Sequence, residues 1–361
     1  MISDTSNLSC QDNSSSGEPS IWRLDPVDSF SDWVIEVLSE EDEILSTFHV
    51  HKAALAAGSR KSSYFLALFQ TKQNFKEQAL CKSRFKLKDT AAKALPAMLD
   101  FMYDAKLNFT IENAVALLHL AGYFGIPTLT DAVSNFSSQM MAWDTAHVFL
   151  SEAIKYHDEK TIDQAKKVCV ENFHYLTESQ ICSLSPQALD MVLRSHAENT
   201  DHHHWEVRSI VVAHYLHKQA DLVNGQLVAS LTDSQIMPRI CPSEAFFFLN
   251  LCIAYENEID NVQRNDGITL RQRCVDACCE YCEAAFAETS LLSPAWQGLS
   301  NMDLFRRLPI DIQNEVLKVS LTSSLEKNRS LKQKLAQMKE SSRKRPRCIY
   351  EKTKNHATNS T

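Results

Sequence analysis

Ser31-Asp32-Trp33-Val34-Ile35-Glu36-Val37-Leu38 opens the stretch that decides the fold. Ile44-Leu45-Ser46-Thr47-Phe48-His49-Val50 answers it across the acidic turn Glu40-Glu41-Asp42-Glu43. Trp33, Ile35 and Val37 recur at every second residue, as do Phe48 and Val50, so each run has one apolar face. That period, broken by a solvated turn, predicts two half-buried strands. Burying Ile35, Val37, Phe48 and Val50 contributes about 1.5–3 kcal/mol per side chain. The period then changes. His51-Lys52-Ala53-Ala54-Leu55-Ala56-Ala57 is helix-forming, Gly58 is suited to end it in a left-handed conformation, and Tyr64 to Phe69 begins a second helix.

These residues carry a family likeness. Asp32 before the first strand, Phe48-x-Val50-His51-Lys52-x-x-Leu55-Ala56-Ala57, and Ser63-Tyr64-Phe65-x-x-Leu68-Phe69 together resemble the BTB/POZ domain. Phe85-x-Leu87-x-Asp89 is similar to its third strand, and Ala94 to Tyr103 and Glu112 to Ile126-Pro127-x-Leu129 to its later helices. The resemblance implies an α+β fold, a small β-sheet wrapped by helices, over residues 28–138. Ser59-Arg60-Lys61-Ser62 is longer than the usual link, which a surface loop tolerates at little cost.

The rest of the chain reads as helix. Its 361 residues are 44% hydrophobic with only 7 Gly and 10 Pro, enough for two or three ordered, mostly helical domains. Net charge is −8, yet residues 318–361 hold twelve Lys/Arg against three Asp/Glu, leaving a strongly acidic body. That body speaks against a nucleic-acid surface. The longest nearly apolar run, Ala245 to Tyr255, is far short of the ~20 residues of a membrane span. Met1-Ile2-Ser3-Asp4 lacks the basic-then-apolar pattern of a secretory signal, and the 11 Cys are scattered, so reduced thiols in the cytosol or nucleus are expected.

Residues 1–27, rich in Ser, Asn and Asp, are expected to be disordered. The short stretch near residues 21–30, Ile21-Trp22-Arg23-Leu24, is expected to leave little room for the long helix with which many BTB domains dimerise. Residues 139–310 are expected to form an all-α domain. Asp144 is a candidate cap for a helix bearing Val148, Phe149 and Ile154, and Thr161 starts another. Phe149-Leu150-x-x-Ala153-x-x-Tyr156, Ala165-x-x-x-Cys169-x-x-x-Phe173 and Leu184-Ser185-Pro186-x-x-Leu189-x-x-Val192-Leu193 resemble the BACK region that follows BTB in many adaptors. Leu176-Thr177-Glu178-Ser179-Gln180-Ile181 recurs as Leu231-Thr232-Asp233-Ser234-Gln235-Ile236, two candidate capped helix starts. In the C-terminal helix, 311–342, Leu317, Ser324, Leu331 and Met338 interleave with Leu321, Asn328 and Leu335 at steps of four and three. That is a coiled-coil seam, with Asn328 suited to a two-stranded register. A solvated helix packing on its own domain fits equally. Residues 343–361 form a basic tail.

Besides the seam, four groups of residues are site candidates. The BTB resemblance implies cullin-3 binding through Phe75-x-Glu77, an apolar anchor beside an orienting carboxylate, with Phe69 and Tyr123 on the same surface; the alternative is a Phe75 folded onto its own core. Asp32 and Lys52 match a charged pair in the groove of some BTB repressors, or are ordinary solvated charges. Cys274, Cys278, Cys279 and Cys282 have metal-ligand spacing, with His202-His203-His204 or His214-x-x-His217 to complete a zinc site; on a continuous helix they read instead as small core residues. Arg343, Lys344, Arg345 and Arg347 suit a nuclear-import signal, a phosphate contact or a solvated tail. No nucleotide loop, nucleophile elbow or His-Glu-x-x-His is present. The expected function is therefore a cofactor-free, non-enzymatic adaptor joining a cullin scaffold to an unidentified protein substrate. The alternative is a nuclear BTB scaffold or co-regulator acting through self-association as a homodimer.

Overall fold

The computed structural model describes residues 21–39, 41–71, 76–104, 109–200, 204–262, 268–286 and 301–343. They form two compact units that part between Val192 and Leu193.

The first unit is built around one strand. A single helical turn, α1 (Pro26–Ser29), leads into β1 (Trp33–Leu38), the centre of a three-stranded sheet ordered β2-β1-β3. β2 (Ile44–Val50) pairs with β1 antiparallel, with Ile35 opposite Phe48, and β3 (Lys82–Lys86) pairs with it parallel. A central strand is covered on both faces, so Trp33, Ile35 and Val37 are buried and Glu36, on the other face, is buried too. A carboxylate taken out of water needs partners. Lys82 Nζ at 2.6 Å and Arg84 Nε at 2.8 Å supply them, and these contacts hold the Glu36 carboxyl below its ordinary range against the opposing cost of burial. The third strand therefore starts earlier than expected and ends before Leu87. Its register is set by Lys82 and Arg84 reaching Glu36, and α5 (below) begins at Asp89.

Helices α2 (Lys52–Ala56), α3 (Ser63–Gln70) and α4 (Lys76–Leu80) lie between β2 and β3 in the chain. Gly58 takes a left-handed φ of +81°, but α2 has already ended at Ala56. The long link is not merely surface: Arg60 donates to the Phe101 carbonyl at 3.1 Å and lies over the Phe101 ring. After α5 (Asp89–Asp104), α6 (Ile111–Phe124) and α7 (Pro127–Met140) form an antiparallel pair. Thr110 and Asn113 close a capping box at the start of α6, and Pro127 opens α7 at the position where its missing N–H costs nothing.

Helices α8 (Ala146–Tyr156), α9 (Glu159–Glu171), α10 (Glu178–Ser183) and α11 (Pro186–Asn199) follow. Two expected starts are corrected. Asp144 does not cap α8; Thr145 precedes the helix without a side-chain cap, and the Asp144 carbonyl accepts from Gln180 Nε2 instead. Asp158, not Thr161, starts α9, its carboxylate accepting from the Thr161 N–H. Thr177 caps α10 in a capping box with Gln180, as its sequence suggests.

Every long regular element described in the second unit after α11 is a helix: α12 (Trp205–Lys218), α13 (Gly225–Leu231), α14 (Ala245–Ala254), α15 (Glu256–Val262), α16 (Leu270–Phe286), α17 (Asn301–Arg307) and α18 (Ile310–Arg343). The stretch Leu231 to Ile236 ends α13 and starts no helix. Buried Arg273 of α16 donates to the Thr232 carbonyl at 2.9 Å and to that of Met237, tying the chain into a turn there. The local side-chain cap is still made, Asp233 Oδ1 accepting from the Gln235 N–H at 2.8 Å, but it closes this turn and no helix follows.

Candidate functional site

The geometry of the first unit converges on the N-terminus of α3. Ser62 Oγ accepts from the Phe65 N–H at 3.1 Å and donates to the Phe124 carbonyl at 2.5 Å, while the Ser63 N–H bonds the Gly125 carbonyl at 3.0 Å. The start of α3 is thus joined to the end of α6. Gly125 has φ +61°, and a Cβ there would lie 1.9 Å from Ser63 Oγ, so no other residue fits without displacing that serine.

This junction places Tyr64 and Tyr123 side by side, ring centroids 6.3 Å apart, over Phe85 at 5.7 and 6.1 Å. Phe65 and Phe124 stack beneath at 5.4 Å. Tyr123 is 51% exposed, so the cluster opens to solvent at that ring. Burial pushes the Tyr64 phenol up to about 12, and the nearby charge of Glu77 adds to the rise. Glu77 stands at the start of α4, whose neighbour Gln78 donates to the Leu68 and Thr71 carbonyls at 2.6 and 3.0 Å. Tyr123 is brought against Tyr64, and the Glu77 charge acts on the same phenol. Phe69 is not brought there: its half-buried ring meets Trp33 at 4.9 Å and Phe65 at 5.8 Å. Phe75 lies outside the described residues.

Asp32 and Lys52 are neighbours, but their hydrogen bond is not one between two charged groups. Asp32 Oδ1 accepts from the Lys52 main-chain N–H at 2.8 Å, serving as a remote cap for α2, whose own preceding residue, His51, makes no side-chain cap. The Lys52 ammonium sits 5.0 Å from the Trp33 ring. His51 bonds Tyr103 Oη at 2.8 Å and the Ser29 carbonyl at 2.6 Å, which ties α1, α2 and α5 together.

A family model describing the BTB/POZ domain matches residues 26–141. The chain carries a BTB/POZ domain. Among curated proteins, the human and mouse BTB/POZ domain-containing protein 3 are each 26% identical over 150 residues, 41% of this chain and 27% of the relative. The chain thus matches about a quarter of those relatives' length. The match covers the sheet, α1 to α7 and every member of the Tyr64 cluster, and a BTB/POZ domain is a protein-interaction module.

The sulfur-rich helix has a different role. Cys274, Cys278 and Cys279 are buried on α16, and burial pushes the Cys274 and Cys278 thiols well up. A ligand must be a thiolate, which this apolar setting opposes. Among the described residues no three His, Cys, Asp or Glu groups gather as metal ligands, and His202 and His203 lie outside them. The cysteine ladder is core. Of the seam residues, Leu317, Leu321, Leu331, Leu335 and Met338 are large and exposed, and Asn328 is exposed. Arg343 ends α18, whereas Lys344, Arg345 and Arg347 fall outside the described residues. Among the described residues no helix is long and apolar enough to cross a membrane.

Sequence reading missed the parts that fix the site. Ser62 carries a legible signal, a serine before an aromatic-rich helix. Gln78 carries none, because its acceptors are backbone carbonyls.

Proposed function

We propose that this protein is a non-enzymatic adaptor, acting in the cytosol or nucleus, whose BTB/POZ domain binds a cullin-3 scaffold. Phe75 is the apolar anchor, Glu77 the orienting carboxylate and Tyr123 the exposed aromatic rim; Phe69, turned toward Trp33, supports the face from within. The helices beyond residue 139, BACK-like in pattern, set the distance to a bound protein substrate. One observation carries this reading. Glu77 stands on a helix that Gln78 fixes to the end of α3, and the aromatic cluster at the start of α3 opens to solvent at Tyr123. Desolvated aromatic anchors with a charged rim are the usual source of interface energy. A pull-down with purified cullin-3 tests it: wild type is retained, and Phe75→Ala with Glu77→Ala is not.

A second reading, self-association as a homodimeric scaffold, is favoured by one other feature. Val27 and Phe30, on and just after α1, are 80% and 85% exposed, and Phe30 holds a left-handed φ of 54°. Sedimentation of Val27→Ser with Phe30→Ser separates the two, since only self-association would lose mass.

A further inference from the structure

Helix α18 changes character along its length. Its first turns bury Ile312, Val316 and Ser320, packing on α16, where Cys279 Sγ donates to the Val316 carbonyl at 3.5 Å. From Leu321 to Lys339 nothing is buried. Yet this stretch carries Leu321, Leu325, Leu331, Leu335 and Met338, each more than half exposed, aligned with Leu317 behind them. Single exposed leucines are ordinary; a stripe of them over three heptads is not.

The charges beside the stripe say what covers it. With Leu321, Asn328 and Leu335 at the a positions, the d positions are Leu317, Ser324, Leu331 and Met338. The flanking e positions are then Lys318, Leu325, Lys332 and Lys339, and the flanking g positions Ser320, Lys327 and Lys334. Five of the seven flanking residues are lysine and none is acidic; Glu326 falls at f, away from the seam. In a parallel pair of identical helices each g residue meets the following e residue of its mate. Lys327 would then face Lys332, and Lys334 would face Lys339. An antiparallel pair sets e against e and g against g, again lysine against lysine. Either way a second copy is repelled, whereas a helix with Glu at these positions is attracted on both flanks. An anionic membrane would attract the same lysines, but it calls for a broad apolar face. Here Ser324 and Asn328 interrupt the midline.

We propose that Leu317 to Met338 is the docking surface for an acidic amphipathic helix of a different protein. That helix would carry leucine-like residues at its own a and d positions, a polar residue opposite Asn328, and glutamates flanking its seam. The two would form a short two-stranded coiled coil. The surface does not depend on cullin binding.

Two synthetic 28-residue helices test this against the full-length chain. Both carry Leu at a and d with one a-position Asn; one has Glu at every e and g, the other Lys. The Glu peptide should bind at least tenfold more tightly than the Lys peptide, with the difference shrinking as salt rises. Lys327→Glu, Lys332→Glu, Lys334→Glu and Lys339→Glu together should reverse that order. Leu331→Asp with Leu335→Asp should remove binding of the Glu peptide while leaving the melting temperature unchanged, since both residues are exposed. Equal binding of the two peptides, or none, overturns the proposal. So does a sedimentation mass that falls on the Leu331/Leu335 change, which would place a second copy on the face. Capture of the chain by phosphatidylserine vesicles through those same leucines, without peptide binding, overturns it as well.

Discussion

The side-chain amide of Gln78 donates to the Leu68 carbonyl at 2.6 Å, so that the start of α4 is fastened to the last turn of α3. Its second bond, to the Thr71 carbonyl at 3.0 Å, engages the other side of the same helix end. Both carbonyls are orphans of a helix C-terminus, which makes one glutamine the organiser of the connection that presents Glu77.

Gln78→Ala should therefore loosen that connection without unfolding the sheet. Two neutral hydrogen bonds contribute about 0.5–1.5 kcal/mol each, so a drop of about 1–3 kcal/mol in urea-derived stability is expected. Partner affinity should fall by more than stability alone explains. Unchanged amide-exchange rates around residues 71–78 would contradict this.

Glu77→Gln tests the electrostatics of the same corner. With the carboxylate gone, the Tyr64 phenol should titrate below its present value of about 12, yet above the ordinary 10.0, because burial is the larger cause. Tyrosine-selective carbon NMR during an alkaline titration reads this directly. A Tyr64 midpoint that does not move would place the Glu77 charge elsewhere.

Glu36 gives the fold an acid-sensitive joint. Its folded pKa lies below the ordinary value, so its contribution is present above the unfolded pKa and is lost as pH falls through the folded one. Stability should decline as pH drops below about 4.5, the ordinary value for this group. Glu36→Gln should flatten that part of the profile while lowering stability at neutral pH, since Lys82 and Arg84 lose their partner. A wild-type acid limb identical to that of the variant would refute the joint.

Thiol reactivity should sort by position. Among the described cysteines Cys81 is exposed, while Cys169, Cys274 and Cys278 are buried with thiols pushed up by burial. Iodoacetamide on the native protein, followed by peptide mass mapping, should modify Cys81 first and leave those three until denaturant is added. Early labelling of Cys274 or Cys278 would remove them from the core.

The strands and the aromatic helix were legible because a period of two, an acidic turn and a switch to helical spacing fall in sequence from Trp33 to Phe69. What escaped are long-range relations. The parallel pairing of β3 with β1 and the ion pairs of Glu36 with Lys82 and Arg84 join residues 46 and 48 apart in sequence. The Leu231 to Ile236 stretch reads as a second helix start, whereas in the fold Arg273, 41 residues on, holds the Thr232 carbonyl in a turn. The four cysteines had metal spacing, but one continuous helix turns three of them into core. In the site, only family likeness puts Glu77 and Tyr123 on one surface; the ring that packs against Tyr123, Tyr64, carries no such signal in the sequence. Phe69 shares that grouping by position, and its half-buried ring packs between Trp33 and Phe65.

The most direct test is calorimetric titration of the full-length chain with purified cullin-3, comparing wild type with the Phe75→Ala/Glu77→Ala double variant. Wild type should bind saturably and the variant at least a hundredfold more weakly, with both proteins melting at the same temperature. Equal affinity of the two proteins, or no heat of binding from the wild type, would contradict it.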